Sequence, residues 1–273
     1  KQKTAYEMLR SLVGSEMCIR DRFIGMSVVA IIPARAGSKT IFDKNIISLN
    51  GHPLIAYSIA AAKLSALIDR IIVSTDSEKY AEIAKRYGAE VPFIRPTEFA
   101  TDNSTDRDFL LHAIKWLEIN ENKSPEYWVH LRPTTPLRDP KIVDTAIQLF
   151  MNDTQSTSLR SGHKAPESPL KWFIRDQDGY FKSLLSDGSG IESHNLPKEE
   201  FDDIFIPNGY VDILKKSIMD NENEVHGKKI FGFESPICSE IDSPEEFQYI
   251  QYQLDKSSSP LLIFLNSLSI DLK

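Results

Sequence analysis

Residues 28–45 open with an apolar, β-branched run, Val28-Val29-Ala30-Ile31-Ile32. It breaks into Pro33-Ala34-Arg35-Ala36-Gly37-Ser38-Lys39 and closes on Lys44-Asn45. A short apolar run bounded by Pro and Gly reads as a buried strand. The small residues at 34, 36 and 37 let the backbone turn sharply beyond it and expose its N–H groups. Arg35, Lys39 and Lys44 crowd three cations into this turn. A strand that opens into a small-residue, cation-rich loop is a physical recipe for holding a polyphosphate. The GxxxxGK[ST] spacing of the ATP-type phosphate loop is absent, as is the GxGxxG of dinucleotide-binding folds.

The residues that follow place this loop at the first strand end of an α/β pattern. Residues 49–54 read as a turn into a helix with Ile55, Ile59 and Ala62 on one face. Residues 70–75 are a second strand, ending at Asp76. The next helix carries Tyr80, Ile83, Ala84 and Tyr87 and stops at Gly88. Residues 90–94 are expected as a third, shorter strand. A polar stretch, 95–105, leads to a helix with Leu110, Ala113, Ile114 and Leu117 inward. Residues 127–131 form a fourth strand, which breaks into Arg132-Pro133-Thr134-Thr135-Pro136-Leu137-Arg138. Asp139-Pro140 then supplies an N-cap and a first-turn proline. The helix they open is expected to bury Ile142, Thr145, Ala146 and Leu149. Four strand–helix alternations predict βαβ crossovers and a largely parallel sheet flanked by helices.

The pattern changes near residue 156. Residues 156–160 read as a strand, and the apolar stretches at 172–174 and 180–181 flank Asp176-Gln177-Asp178-Gly179, a hairpin signal. With too few apolar residues for a core of its own, the region 160–207 is expected to be a β-rich flap inserted in one domain spanning 26–256. Strand character returns at 210–214 and 229–233. Ser243-Pro244-Glu245-Glu246 is a capping box opening a last clear helix with Phe247, Ile250, Gln251 and Leu254 on one side. No role is assigned to the tail, 257–273. Residues 1–25 lack an amphipathic period and resemble translated cloning or adapter sequence, so Met26 is the expected start.

Composition narrows the function classes. A hydrophobic content of 41% with 26% charged residues suits a soluble globular domain, and no apolar run reaches membrane-spanning length. The formal charge of −7 gives general nucleic-acid binding no electrostatic support. Cys18 and Cys238 offer neither a disulfide framework nor metal-ligand spacing, which points to a reducing, cytoplasmic setting.

In a parallel sheet the C-terminal strand ends lie along one edge. Arg35 with Lys39, Asp76, Arg95 with Asp102, and Arg132 with Arg138 are therefore expected to line one cleft. Several cationic loops converging there imply a substrate with several negative charges, such as a nucleoside triphosphate. If Glu240-Ile241-Asp242 is extended, both carboxylates share a side, a pair that suits Mg²⁺ or, equally, a pairing with the following helix dipole at a surface turn.

These motifs resemble those of the cytidylyltransferases that activate nonulosonic acids, the CMP-sialic acid synthetase family. The resemblance runs from about Val28 to about Leu254. It rests on residues 32–39 with Lys44-Asn45, on Ile72-Val73-Ser74-Thr75-Asp76, and on Arg95-Pro96 with Ala100-Thr101-Asp102. It continues through residues 131–138, Pro207-Asn208-Gly209 and Ile241-Asp242. The resemblance implies a nucleotidyltransferase-type α/β fold whose flap reaches a second copy in a homodimer, with Trp172, Phe173, Tyr180 and Phe181 suited to the interface. It implies that Arg35 and Lys39 act as the catalytic cations on the CTP phosphates, with Lys44 and Asn45 nearby. Arg95 and Ser104 would line the cytosine and ribose pocket. Arg132, Thr134, Thr135 and Asn208 would contact the sugar acid, and Asp242 with Glu240 would hold Mg²⁺. The reaction would join the sugar's anomeric oxygen to the α-phosphorus of CTP and release pyrophosphate.

Three departures leave the acid open. Glu240 stands where the family usually has aspartate, and Ser193 where an arginine is frequent. Thr40 and Phe42 replace a common glycine and proline, and extra residues, 198–205, precede Pro207. Sialic, legionaminic, pseudaminic and amino-Kdo type acids all remain open. A Kdo cytidylyltransferase and a non-catalytic nucleotide-binding relative are the alternatives.

Overall fold

The computed structural model describes residues 27–184, 193–221, 224–256 and 258–268. Among them a six-stranded sheet is built from β1 (Val28–Pro33), β4 (Arg70–Ser74), β5 (Tyr127–His130), β6 (Ser158–Lys164), β9 (Phe205–Lys215) and β10 (Ile230–Glu234), in the order β10-β6-β9-β5-β1-β4. β1 runs parallel to both β4 and β5, and β10 parallel to β6. β9 is reversed and joins the two parallel groups, antiparallel to β5 and to β6. The sheet is therefore mostly parallel, as expected, with one inverted strand near its middle.

Alternation along β1 feeds two cores, because successive side chains point to opposite faces. Val28, Ala30 and Ile32 face a large cluster with α1 (Leu54–Leu64), α4 (Pro140–Asn152), α6 (Pro244–Lys256) and α7 (Pro260–Ser267). Val29 and Ile31 face a smaller one with α3 (Asp106–Glu121) and Met219 of α5 (Lys216–Asn221). The short α2 (Glu78–Arg86) adds Tyr80 and Ala84 to the larger cluster.

The turn expected after Leu49 is a tight hairpin between β2 (Ser48–Leu49) and β3 (His52–Pro53). Asn50 and Gly51 both have positive φ, 47° and 86°, the backbone a two-residue hairpin needs. The capping box also forms: Ser243 N donates to Glu246 Oε2 at 2.8 Å, and Glu246 N to Ser243 Oγ at 3.2 Å.

Four expectations are corrected. Residues 90–94 form no strand. Glu90 makes one parallel bridge to Ile72, and Pro92, which lacks an N–H, ends the pairing. α4 buries Val143, Ala146, Ile147 and Phe150 rather than the face through Ile142 and Leu149. The Phe150 ring sets the phase: it packs edge-on to Tyr127, with the Lys215 ammonium 4.9 Å from its centre. β9 begins at Phe205, so Pro207-Asn208-Gly209 lies inside a strand, and the flap is framed by Lys164 and Phe205, which are Cα partners. The described part of the tail is structural: Leu261 and Leu265 of α7 are buried, and Asn266 Oδ1 lies 2.9 Å from His52 Nε2. Residues 1–25 and the end of the tail lie outside the described residues, as does the Ser193 side chain.

The flap hairpin forms as predicted from β7 (Phe173–Arg175) and β8 (Phe181–Ser183), with Asp176 holding the turn by accepting from the N–H groups of Asp178 and Tyr180.

Candidate active site

Because β1, β4 and β5 are parallel, the segments that leave them emerge along one edge. The loop after β1 is tied to the β4 end at two points. Ala34 N donates to Ser74 O at 2.9 Å, and Ala36 N to Asp76 Oδ1 at 2.8 Å. Gly37 has φ +74°, a left-handed conformation in which a side chain is strained. The far side of the loop is pinned through Asp43, which accepts from Lys79 Nζ at 2.9 Å and Tyr80 OH at 2.8 Å. Those partners hold the Asp43 carboxyl below its ordinary pKa. Asn45 is buried and donates to Arg35 O at 2.9 Å, closing the loop on itself.

The cations of this loop meet carboxylates from elsewhere in the chain. Arg35 Nη1 is 2.8 Å from Asp102 Oδ1, and Lys39 pairs with the other oxygen of the same carboxylate. Lys44 Nζ is 2.8 Å from Asp242 Oδ1. Ser104 Oγ accepts from Thr101 N at 2.9 Å and so shapes the turn that presents Asp102. Arg35, Lys39, Lys44, Asn45 and Asp242 thus occupy one rim.

Arg95 and Arg138, expected among the cleft cations, are instead interior. Arg95 is stacked 5.2 Å over the Phe109 ring and donates to Ser74 O, Ser74 Oγ and Phe99 O. Arg138 donates to Ser58 Oγ and to the carbonyls of Arg132, Gly209 and Tyr210. Burial pushes both guanidinium groups down to about 10. Each clamps backbone that builds the site rather than facing a ligand.

Arg132 stays partly exposed. Its Nη2 is 2.8 Å from Asp106 Oδ2 and its Nη1 3.3 Å from Asp212 Oδ2. Thr134 O accepts from Ile241 N at 2.8 Å, which joins the 132–138 turn to the acidic segment. Thr135 is fully buried, and its Oγ1 has no hydrogen-bond partner among the described residues. Gly209 is required where these pieces meet: a Cβ there would lie 2.6 Å from Thr135 Oγ1 and 3.0 Å from Glu240 Oε1. Glu240 Oε1 accepts from Gly209 N at 2.6 Å, while Asp242 turns to Lys44. Asn208 is buried with its amide engaged by Ser161, Ser235, His163 and Tyr210 N, so it braces the wall from within.

Asp106, Asp212, Arg160, His130 and His226 gather around Arg132 and were missed by sequence reasoning. Burial pushes Asp212 up to about 6, against the pull of Arg132 and Arg160. It pushes His226 down to about 4, with the Arg160 charge adding to the effect. His130, also buried, is pushed well down. The available signal was an aspartate and a histidine inside the apolar runs Tyr210-Val211-Asp212-Ile213-Leu214 and Tyr127-Trp128-Val129-His130-Leu131.

Comparison with known proteins places the chain in a family. A family model described as cytidylyltransferase matches residues 29–255. The N-acylneuraminate cytidylyltransferase of Escherichia coli O18:K1:H7 is 41% identical over 216 residues, 75% of this chain and 45% of that protein. The CMP-N,N'-diacetyllegionaminic acid synthase of Legionella pneumophila is 39% identical over 127 residues, 45% of this chain and 53% of that protein. The chain spans about half the length of these two relatives. In fold it is like a CMP:2-keto-3-deoxy-manno-octonic acid synthetase complexed with CTP, with a TM-score of 0.62 at 16% identity over 84% of this chain and 99% of the other. With the family model spanning the sheet from β1 to the last turn of α6, the chain belongs to the cytidylyltransferase family.

Proposed function

We propose that this chain transfers the cytidylyl group of CTP to a nonulosonic acid, giving the CMP-sugar and pyrophosphate. The observation that carries this reading is the single rim shared by Arg35, Lys39, Lys44 and Asp242 beside the partly exposed Arg132. Three cations on a loop braced by Asp43 and Asp76 suit a triphosphate, whose oxygens replace Asp102 on Arg35 and Lys39. Arg95 and Ser104 hold the wall behind the cytosine and ribose. Arg132 faces the acid's carboxylate, because a planar guanidinium matches that group with two parallel hydrogen bonds. Thr134 and Thr135 complete that side, and Asn208 braces it.

In this reaction the anomeric hydroxyl oxygen bonds to the α-phosphorus, the bond to the β-phosphate bridging oxygen breaks, and pyrophosphate departs. The chain's share is positioning and charge neutralisation. Arg35 and Lys39 stabilise the charge that grows on the phosphates.

The residues fit a divalent ion. Asp242 carries an exposed carboxylate on the rim, and Glu240 keeps one oxygen beyond its bond to Gly209. Among the described residues no cluster of three or more His, Cys, Asp or Glu could cage a metal. Mg²⁺ binds through one or two carboxylates with phosphate oxygens and water, and Asp242 and Glu240 supply carboxylates of that kind. Asp242, with Glu240 beside it, would hold the ion, which neutralises phosphate charge when bound.

We further propose a homodimer through the exposed flap aromatics and a cytoplasmic setting; among the described residues no helix is long and apolar enough to cross a membrane. The acidic balance of the chain argues against a nucleic-acid partner.

Pyrophosphate release with sialic, legionaminic, pseudaminic, Kdo and amino-Kdo acids, and with CTP set against UTP, GTP and ATP, tests the reading. Release is expected with CTP and a nonulosonic acid. CTP binding without release from any acid would overturn it in favour of a non-catalytic relative. Arg35→Ala is expected to lower kcat/KM by about 100-fold or more, the range for a lost electrostatic donor. Near-normal turnover in that variant would remove Arg35 from its role.

A further inference from the structure

On the face of the sheet that packs against α3, one row is ionic. His130 of β5, Asp212 of β9 and Arg160 of β6 are Cα partners across three adjacent strands. Two residues further along each strand the same face carries Trp128, Leu214 and Ser158. The ionic row ends beneath Arg132, the second residue beyond β5.

Asp212 sits between two guanidinium groups: Arg132 Nη1 at 3.3 Å and Arg160 Nε at 3.9 Å. The other terminal nitrogen of Arg132 is held by Asp106 from the first turn of α3. A guanidinium held through both terminal nitrogens is fixed in its plane, and three of its five donors remain for a ligand. The groups around Asp212 are His130 from β5, Arg132 beyond it, Arg160 from β6 and Asp106 from α3, with His226 from the segment before β10 lying against Arg160. Arg160 Nη1 lies 3.4 Å from His226 Nε2, and His226 Nδ1 3.2 Å from Ser158 Oγ.

This row is poorly arranged for stability alone. Asp212 Oδ1, Arg160 Nε and His130 Nε2 are buried without a hydrogen-bond partner among the described residues. Buried charges that are only partly satisfied stabilise a fold less than apolar residues of the same volume. Their arrangement is economical only as support for Arg132.

We propose that Asp212 and Arg160 are positioning residues. Asp212 fixes the Arg132 guanidinium for the carboxylate of the acid substrate, and Arg160 keeps Asp212 ionised so that it can do so. The proposal rests on the cytidylyltransferase reading above and adds to it a device for acid recognition. Protonation of Asp212 releases one of the two grips on Arg132. Both histidines stay neutral through the range in which this happens, because burial holds their pKa values low.

The test is steady-state pyrophosphate release by the full chain, with CTP and Mg²⁺ saturating and the acid that the panel identifies, as a function of pH. In the wild type the KM for the acid is expected to rise as pH falls through about 6, with the KM for CTP flat. Asp212→Asn should raise the KM for the acid by about tenfold or more at neutral pH and abolish the acidic limb. Arg160→Gln should move the limb to higher pH, since losing the cation favours the protonated carboxyl, and Arg160→Lys should leave it near its wild-type position. An Asp212→Asn enzyme with wild-type KM and limb overturns the proposal, as do equal rises in KM for CTP and acid. If Asp212→Asn does not fold, Arg160→Gln decides, and an unmoved limb overturns the proposal. A wild type that turns over no acid overturns the functional reading and this proposal with it. That result differs from an active wild type matched by Asp212→Asn.

Discussion

Arg138 donates hydrogen bonds to three backbone carbonyls and one hydroxyl, from a position with almost no solvent contact. Its partners belong to three segments: α1, the 132–138 turn and β9. Removing it takes a charged donor from three carbonyls, of which Arg132 O alone is also served by Ser58 Oγ and Thr135 N among the side-chain and turn bonds described. An unsatisfied buried acceptor costs more than the net value of one hydrogen bond. Arg138→Met, which keeps the volume but not the donors, is expected to lower unfolding free energy by about 3–5 kcal/mol, from several hydrogen bonds of a charged donor lost at about 1.5–3 kcal/mol each, less the cost of burying the charge. A fall in urea midpoint with an unchanged slope would show it. Sequence reasoning placed Arg138 in the turn that follows β5, which holds, and among the cleft cations, which does not. Accessibility was hidden because nothing local distinguishes a guanidinium aimed at solvent from one aimed at carbonyls distant in sequence. Arg95 repeats the lesson. Lys39, by contrast, is exposed and pairs with Asp102, in the loop where a cation was expected at the surface of the cleft.

Elements were legible where period and caps agreed. α3 buries Leu110, Ala113, Ile114 and Leu117 as their spacing implied, and the capping box of α6 forms. α4 was misphased by one residue because Ile142 and Leu149 compete with Phe150 for the interior, and only the Tyr127 and Lys215 side chains decide between them. The face expected on α1 was too narrow. Residues 54–62 are all buried because α7, which had no expected role, covers the outer side. The β7–β8 hairpin was readable from its turn, and two three-residue strands are marginal alone. It nevertheless exposes Tyr180 and Phe181 to about 70%. This patch is the contact proposed for the homodimer, since exposed apolar patches on a soluble protein are where partners dock. Phe181→Lys is expected to convert a homodimer to monomer in size-exclusion chromatography with light scattering, and a monomeric wild type would refute the dimer.

Across the whole molecule, a net charge of −7 coexists with a positive rim built from one loop. Attraction between that rim and a triphosphate acts over distances that salt screens. The KM for CTP is expected to rise several-fold from low to roughly 0.5 M salt, and less steeply in Arg35→Ala. An equal slope in both would place the triphosphate elsewhere. The parallel sheet itself was foreseeable from alternating strands and helices. The inversion of β9 was not, because direction depends on pairing with β5 and β6 rather than on its own side chains.

That inverted strand has a consequence for how such a protein diversifies. Since Lys164 and Phe205 are opposed across the β6–β9 ladder, the chain leaves and re-enters the sheet at a single point. Whatever is threaded between them is a cassette: lengthening or swapping it leaves the ladder intact, and loop closure grows only slowly with added residues. The surface that the β7–β8 hairpin presents can therefore be rewritten in one exchange, while Arg132 and the cationic loop after β1, both encoded upstream of the insert, are inherited unchanged.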